Sequence, residues 1–320
     1  MIKGNKIAAG AVRIIWCVPL FMLFFTSCFT GVESTPKIGA SEVRSRSAAI
    51  TEDQLYLDSI RHEPFELWKP GKRFVVSDPK ISMIFQPSTL STDISTNDTL
   101  LFVKAEEVVS PVGTAVEITL RPVNSTTPLV YRQNATLQEL RQRRQVDIPF
   151  TIDLDLVETV REKLTGNKYY LVTPRWLDGN MNLVTRVKFI PATVVDVVPG
   201  TAEFPVRIIF NPEYQKIEPG SLYSTYMTVG SSPAATRNFD TIFSLKDPRR
   251  KYSNITDENW TAIIENRVLP GMTREEAKLS LGAPIDVDKG HDYSSIYEKW
   301  SYDGGIYLIF RDGLLETYRR

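Results

Sequence analysis

The feature that most constrains the fold is a pattern that occurs twice. Gly71-Lys-Arg-Phe-Val-Val-Ser-Asp-Pro79 and Gly166-Asn-Lys-Tyr-Tyr-Leu-Val-Thr-Pro174 share a glycine, a basic residue before an aromatic, an apolar run and a closing proline, at a constant spacing of 95 residues. Further on, Leu101-Phe102 precedes Pro111-Val-Gly-Thr-Ala115 and a strand-like run at 116–120, and Lys188-Phe189 precedes Pro199-Gly-Thr-Ala202 and a run at 204–210. Here the spacing falls to 87 residues, from Phe102 to Phe189. The shortfall of eight lies in the loop where the first copy has a polar stretch at 88–98. Loops absorb length changes at little cost and strands do not, so this is the distribution that duplication of one unit produces.

Both copies are rich in β-branched and aromatic residues between turn residues, which predicts short strands. The expected fold class is therefore α+β, mostly β. The first β-rich unit is expected at 68–132 and the second at 166–252, each as a small SH3-like or related barrel. A short helix is expected at 51–67, opened by the capping-box pattern Thr51-Glu-Asp-Gln54. A helical connector is expected at 133–165. Within it Leu156, Val157, Val160 and Leu164 fall on one helix face, with Asp155 as cap and Gly166 as stop. The basic run Arg141, Arg143, Arg144 reads as a solvated helix face.

The N-terminus reads as a targeting segment. Lys3, Lys6 and Arg13 precede an apolar run at 14–25. That run is too short to cross about 30 Å of hydrocarbon, so residues 1–27 are read as an export signal. Its end, Phe25-Thr-Ser-Cys28, resembles a bacterial lipoprotein signal, although Phe25 stands where an aliphatic is usual. The resemblance implies cleavage before Cys28 and acylation of that thiol with palmitate-type chains. Cys17 follows the bulky Trp16 and does not compete. Cleavage leaves 35 Lys+Arg against 38 Asp+Glu, a net charge of −3. Attachment to a membrane then rests on acyl chains and not on a polybasic patch. Residues 28–50, polar and without hydrophobic period, read as a tether.

The C-terminal 253–320 predicts two helices and three strands. Thr256 caps a helix bearing Trp260, Ile263 and Ile264, and Thr273-Arg-Glu-Glu276 is a capping box for the next. Strands are expected at 295–302, 306–310 and 314–318, with turns at Asp303-Gly-Gly305 and Asp312-Gly313. The blocks Leu269-Pro-Gly-Met-Thr273, Leu281-Gly-Ala-Pro284, Glu298-Lys-Trp-Ser-Tyr302 and Tyr307-Leu-Ile-Phe-Arg-Asp-Gly313 resemble the SmpA/OmlA, or BamE-like, lipoprotein domain. The resemblance covers about a fifth of the chain and implies an ααβββ two-layer module. It also implies a non-enzymatic scaffold in the assembly of outer-membrane proteins. Unlike typical members, this chain carries some 200 residues before the module. Alternation along the strands puts Ile306, Leu308 and Phe310 toward the helices and leaves Tyr307 and Ile309, with Tyr297, on a face the module does not bury. These three are the candidate interface. The body that covers it is either the neighbouring β-unit or another protein.

Little points to catalysis. No phosphate loop, nucleophile elbow or zinc-protease motif occurs, and two His and two Cys offer scant material for a metal site or a Cys/His pair. Asp286, Asp288, His291 and Asp292 form a His/carboxylate cluster that is able to ligate a divalent ion but is read as a polar loop before the first strand, and His62-Glu63 reads as a surface pair. Balanced charge, 38 against 38, argues against a nucleic-acid partner. The expected protein is not an enzyme and carries no metal or cofactor. It is an outer-membrane lipoprotein, anchored through Cys28 and facing the periplasm. It would serve as a binding scaffold for an envelope protein in outer-membrane protein assembly or envelope integrity. The alternatives are a lipoprotein that binds peptidoglycan or another glycan through its β-units, and a hydrolase with scattered carboxylates.

Overall fold

The computed structural model describes Tyr56 and residues 60–86, 94–110, 113–143, 145–229, 237–292 and 295–319. All belong to one compact body, Ile50–Arg320. The signal segment, Cys28 and the tether lie outside the described residues, as do eight of the seventeen residues of the helix expected at 51–67; of the other nine, Ile60 to Pro64 are not helical. From that helix a short turn at Phe65–Leu67 is described. No helix among the described residues is long and apolar enough to cross a membrane.

The first unit contains β1 (Arg73–Val76), β2 (Phe85–Gln86), β3 (Thr99–Ser110), β4 (Gly113–Pro122), β5 (Leu129–Gln133), α1 (Leu137–Gln142) and β6 (Thr151–Asp153). Its sheet has the order β2-β5-β4-β3-β1-β6. After α2 (Leu154–Leu164), the second unit contains β7 (Lys168–Leu171), β8 (Arg175–Leu177), β9 (Leu183–Thr185), β10 (Ile190–Pro199), β11 (Val206–Pro212), β12 (Tyr223–Met227), α3 (Phe239–Ile242) and β13 (Phe243–Ser244). Its sheet has the order β13-β7-β10-β11-β12-β8-β9. Apart from the added β9, the two sheets run through the same order, each strand replaced by its counterpart. Adjacent strands pair antiparallel throughout both sheets.

The correspondence reaches individual hydrogen bonds. Gly71 N donates to Phe102 O at 2.8 Å and Phe102 N to Lys72 O at 2.8 Å. In the second unit, Gly166 N donates to Val194 O at 2.9 Å and Val194 N to Asn167 O at 3.0 Å. One residue later each long strand bulges, at Val103 and at Val195. Across the hairpin Phe102 pairs with Leu120 and Val194 with Phe210, so buried Val116, Ile118 and Leu120 match buried Val206, Ile208 and Phe210. The structural counterpart of Phe102 is thus Val194 and not Phe189. The likeness of Pro111-Val-Gly-Thr-Ala115 to Pro199-Gly-Thr-Ala202 misled because β3 and β4 extend three pairs beyond the point where β10 and β11 turn.

Two further expectations change. The sheets are open: among the described residues neither closes into a barrel. The helical connector also hides a strand, because β6 pairs with β1 and completes the first sheet. Asp153, and not Asp155, caps α2: its Oδ1 accepts from Asp155 N and Leu156 N. The buried face of α2, Leu156, Val157, Val160 and Leu164, joins the second core. Strand alternation divides β1 between two cores, with Phe74 and Val76 in the first and Val75 in the second.

The C-terminal module contains α4 (Asp257–Ile264), α5 (Arg274–Leu281), β14 (Asp286–Asp292), β15 (Ser295–Ser301), β16 (Tyr307–Arg311) and β17 (Leu314–Arg319) in one antiparallel sheet, β14-β15-β16-β17. It has four strands and not three. The missed one is the polar run holding Asp286, Asp288, His291 and Asp292, an edge strand without an apolar face to betray it. Thr256 and the Thr273/Glu276 box cap the helices as expected. Asp312 and Gly313, at φ 50° and 89°, make the tight turn before β17.

Candidate functional site

The helices of the module cover one face of its sheet. Trp300, Leu308, Phe310 and Leu315 pack with Trp260, Ile263, Met272 and Ala277, and the rings of Trp300 and Phe310 lie 4.6 Å apart. Glu298 is buried on this side. It accepts from Trp300 Nε1 at 3.0 Å and pairs with Arg274 at 3.1 Å and Lys289 at 3.3 Å. Burial would raise its pKa, yet these partners together hold it below the ordinary value.

Tyr297, Tyr307 and Ile309 occupy the other face. In register, Tyr297 lies between Gly290 and Arg311, Ile309 between Lys299 and Thr317, and Tyr307 between Ser301 and Arg319. All three are half-buried. None belongs to a hydrophobic core or packs against one. The neighbouring β-unit therefore does not take this patch into its core. Gly290 gives Tyr297 its place: a Cβ there would stand 2.4 Å from the tyrosine ring, so the ring lies across the glycine. Lys299 Nζ sits 5.5 Å from the Tyr307 ring centre, and Lys299 and Arg319 are exposed on the same face. The result is an aromatic and aliphatic patch with a basic margin. That composition suits the contact of a protein surface.

The second unit meets the module at a built seam. Phe189 stacks on Trp260 at 5.5 Å, and Asn266 Nδ2 donates to Arg186 O at 2.6 Å. Glu265 accepts from Lys216 and, at 2.7 Å, from the Tyr214 hydroxyl. Those hydrogen bonds, that of Lys216 first, hold the Glu265 carboxyl down to about 2. Lys188, only 6% exposed, donates to Ser280 O at 2.6 Å. Burial lowers its ammonium to about 8. Nothing in the sequence separated Lys188 from surface lysines.

Among the described residues, no three His, Cys, Asp or Glu side chains are placed to hold a metal ion. Asp286 and Asp288 project to the open face at its β14 edge, paired in register with Ser301 and Lys299. Cys28 lies outside the described residues. His62 is half-buried against the first unit, and not the plain surface residue its sequence context suggested. Glu63 pairs with the buried Lys72 at 3.1 Å. Fold and site together define an α+β, mostly β protein with a sheet face that no core among the described residues covers. No protein-family model matches the chain, and no curated protein or solved structure matches it.

Proposed function

We propose that this chain is a non-enzymatic lipoprotein of the outer membrane, held by acyl chains on Cys28 and presenting a periplasmic binding scaffold. The apolar face of Tyr297, Tyr307 and Ile309 carries the reading, because no core among the described residues takes it in. The apolar run ending at Phe25-Thr-Ser-Cys28 supports the anchor. The blocks that resemble a BamE-like domain support an envelope protein as the partner, in outer-membrane protein assembly or envelope integrity. We further propose that the two β-units descend from one duplicated unit, supported by their common strand order and bulge position.

Ile309→Glu tests the scaffold. An uncovered side chain leaves the melting temperature of the isolated protein within a degree or two of wild type, since surface changes stay within about 0.5 kcal/mol. Pull-downs from gently solubilised membranes should then lose barrel-assembly proteins that the wild type retains. A large loss of stability would mean that the face is buried and the reading is wrong. Labelled palmitate should enter the wild type and not Cys28→Ala. A Cys28→Ala chain of mature size that still sediments with membranes would overturn the anchor.

A further inference from the structure

A cleft of about 420 Å³ lies between the two β-units, and the proposal for the C-terminal face does not use it. Its volume is in the range of small-molecule sites, about 300–1,000 Å³. One wall is His62 with the segment that leads through β6. The other is the β10–β11 turn and the residues after β12. The turn is shaped by Gly200, where a Cβ would come within 2.2 Å of Phe204 O. Thr201 N donates to Phe204 O at 2.8 Å, and this folds Ala202 and Glu203 over the cleft.

The lining selects a chemistry. Among the described residues it holds no Lys or Arg. The charge of Asp153 is taken by Lys72 at 2.8 Å. Asp147 and Glu203 form no ion pair among the described residues, and both are exposed. Asp147 accepts from the Gln145 amide at 2.7 Å. Anionic ligands would meet these carboxylates as like charges. Burial, partly offset by Asp147 and Asp153, lowers the His62 pKa below its ordinary value, so the imidazole is neutral at pH 7. Thr151 and Thr228 stand on the two walls with hydroxyls that donate to Ile148 O at 2.7 Å and to Asn238 Oδ1 at 2.9 Å and keep lone pairs for a ligand, and Phe150 brings a half-buried ring that rests against the first core. Phe150 has φ 63°, a left-handed conformation that costs a bulky residue about 1–3 kcal/mol and gathers at ligand sites.

We propose that this cleft binds a saccharide. Planar carboxylates and an amide accept from adjacent sugar hydroxyls, threonine and a neutral imidazole complete the polar contacts, and the Phe150 ring faces the C–H side. A simple cation would use only the two carboxylates and leave the aromatic and hydroxyl groups idle. The site is separate from the C-terminal face and independent of the anchor, so it can fail or stand without them.

The test is calorimetric titration of the full chain in detergent with two probes, the β-1,4 trimer of N-acetylglucosamine and maltotriose, against trilysine. Saturable binding of at least one trisaccharide is expected. The double variant Asp147→Ala, Glu203→Ala should weaken it about tenfold or more with an unchanged melting temperature, because both side chains are exposed. Thr228→Val is the second variant, removing the hydroxyl together with its bond to Asn238 Oδ1, and should weaken binding in the same direction. Silence of both trisaccharides, binding of trilysine in their place, or undiminished binding by the double variant would each overturn the proposal.

Discussion

The two β-units hang their first strand on the same backbone hydrogen bonds and then fasten it differently. In the first unit the residue after Gly71 is Lys72, 5% exposed, with its ammonium 2.8 Å from Asp153, 3.1 Å from Glu63 and 3.7 Å from Asp155. It also lies 5.5 Å from the Trp68 ring. Burial would lower its pKa, but the Asp153 carboxylate and the other acids outweigh this and raise it. This polar latch joins β1 to β6 and to the start of α2. In the second unit the residue after Gly166 is Asn167, exposed, whose amide donates to Lys163 O at 2.7 Å. There the latch is aromatic: Tyr169 of β7 meets Phe239 at 5.2 Å and Phe243 of β13 at 5.7 Å. The difference teaches that the framework resides in backbone geometry, and that side chains behind it can be exchanged between chemistries.

The largest expected effects break one latch at a time. Lys72→Ala leaves the 11%-exposed Asp153 carboxylate without its partner, while Glu63 and Asp155, at 42% and 38% exposure, turn to water, and should cost about 3 kcal/mol. Phe239→Ala opens a cavity in the second latch and should cost a similar amount, about 3–5 kcal/mol. Asn167→Ala, at the position equivalent to Lys72, should cost less than about 1 kcal/mol. Denaturant titration of the three variants is the measurement. Equal losses for Lys72→Ala and Asn167→Ala would mean that the ion cluster contributes nothing beyond its backbone.

A second difference is that the second unit carries the C-terminal module, with Lys188 buried in the seam. An ordinary lysine titrates at 10.5 and Lys188 at about 8, so between those values the unfolded chain binds the extra proton. Stability should therefore rise as pH goes from about 8 to 10.5, by about 3 kcal/mol. Lys188→Met should remove that rise. Glu265 acts with the opposite sign. Its carboxyl is held at about 2 against an ordinary 4.5, so its contribution is present above 4.5 and is lost as pH falls toward 2. Thermal unfolding across both pH windows checks the two signs. A flat profile between pH 8 and 10.5 in the wild type would contradict the burial of the ammonium.

What the sequence made legible follows from the same physics. The Thr273/Glu276 capping box, the Asp312-Gly313 turn and the alternation along β16 are local, and each was readable from neighbouring residues. The repeat was readable at Gly71 and Gly166 because a positive φ calls for glycine. Between β1 and β3 the alignment slipped, since the marker there is the hydrogen-bond partner of that glycine, a carbonyl any residue supplies. Strands β6 and β14 were hidden for different reasons. The first has three residues between helices, and the second is polar on both faces. The cleft and Lys188 depend on segments far apart in the chain, and a single sequence carries no mark of such meetings. The open face was legible because strand alternation fixes it before any partner is known.

The smallest expected effect is the sharpest test of equivalence between the units. Gly71 and Gly166 sit at φ 97° and 80°, and a Cβ at either would meet nothing within 4 Å. Alanine there loses no packing and clashes with nothing, so only backbone strain remains, about 1–2 kcal/mol in each case. Lys72 and Asn167 follow these glycines with different chemistry, yet they play no part in that strain. Gly71→Ala and Gly166→Ala should therefore lower stability by the same amount within about 0.5 kcal/mol, and the double variant should be additive because the sites share no partner. A loss confined to Gly71→Ala would place the requirement in the ion cluster, where a shift of the backbone misaligns Lys72 against Asp153. Equal losses would place it in the turn itself, the one element both units build from the same residue.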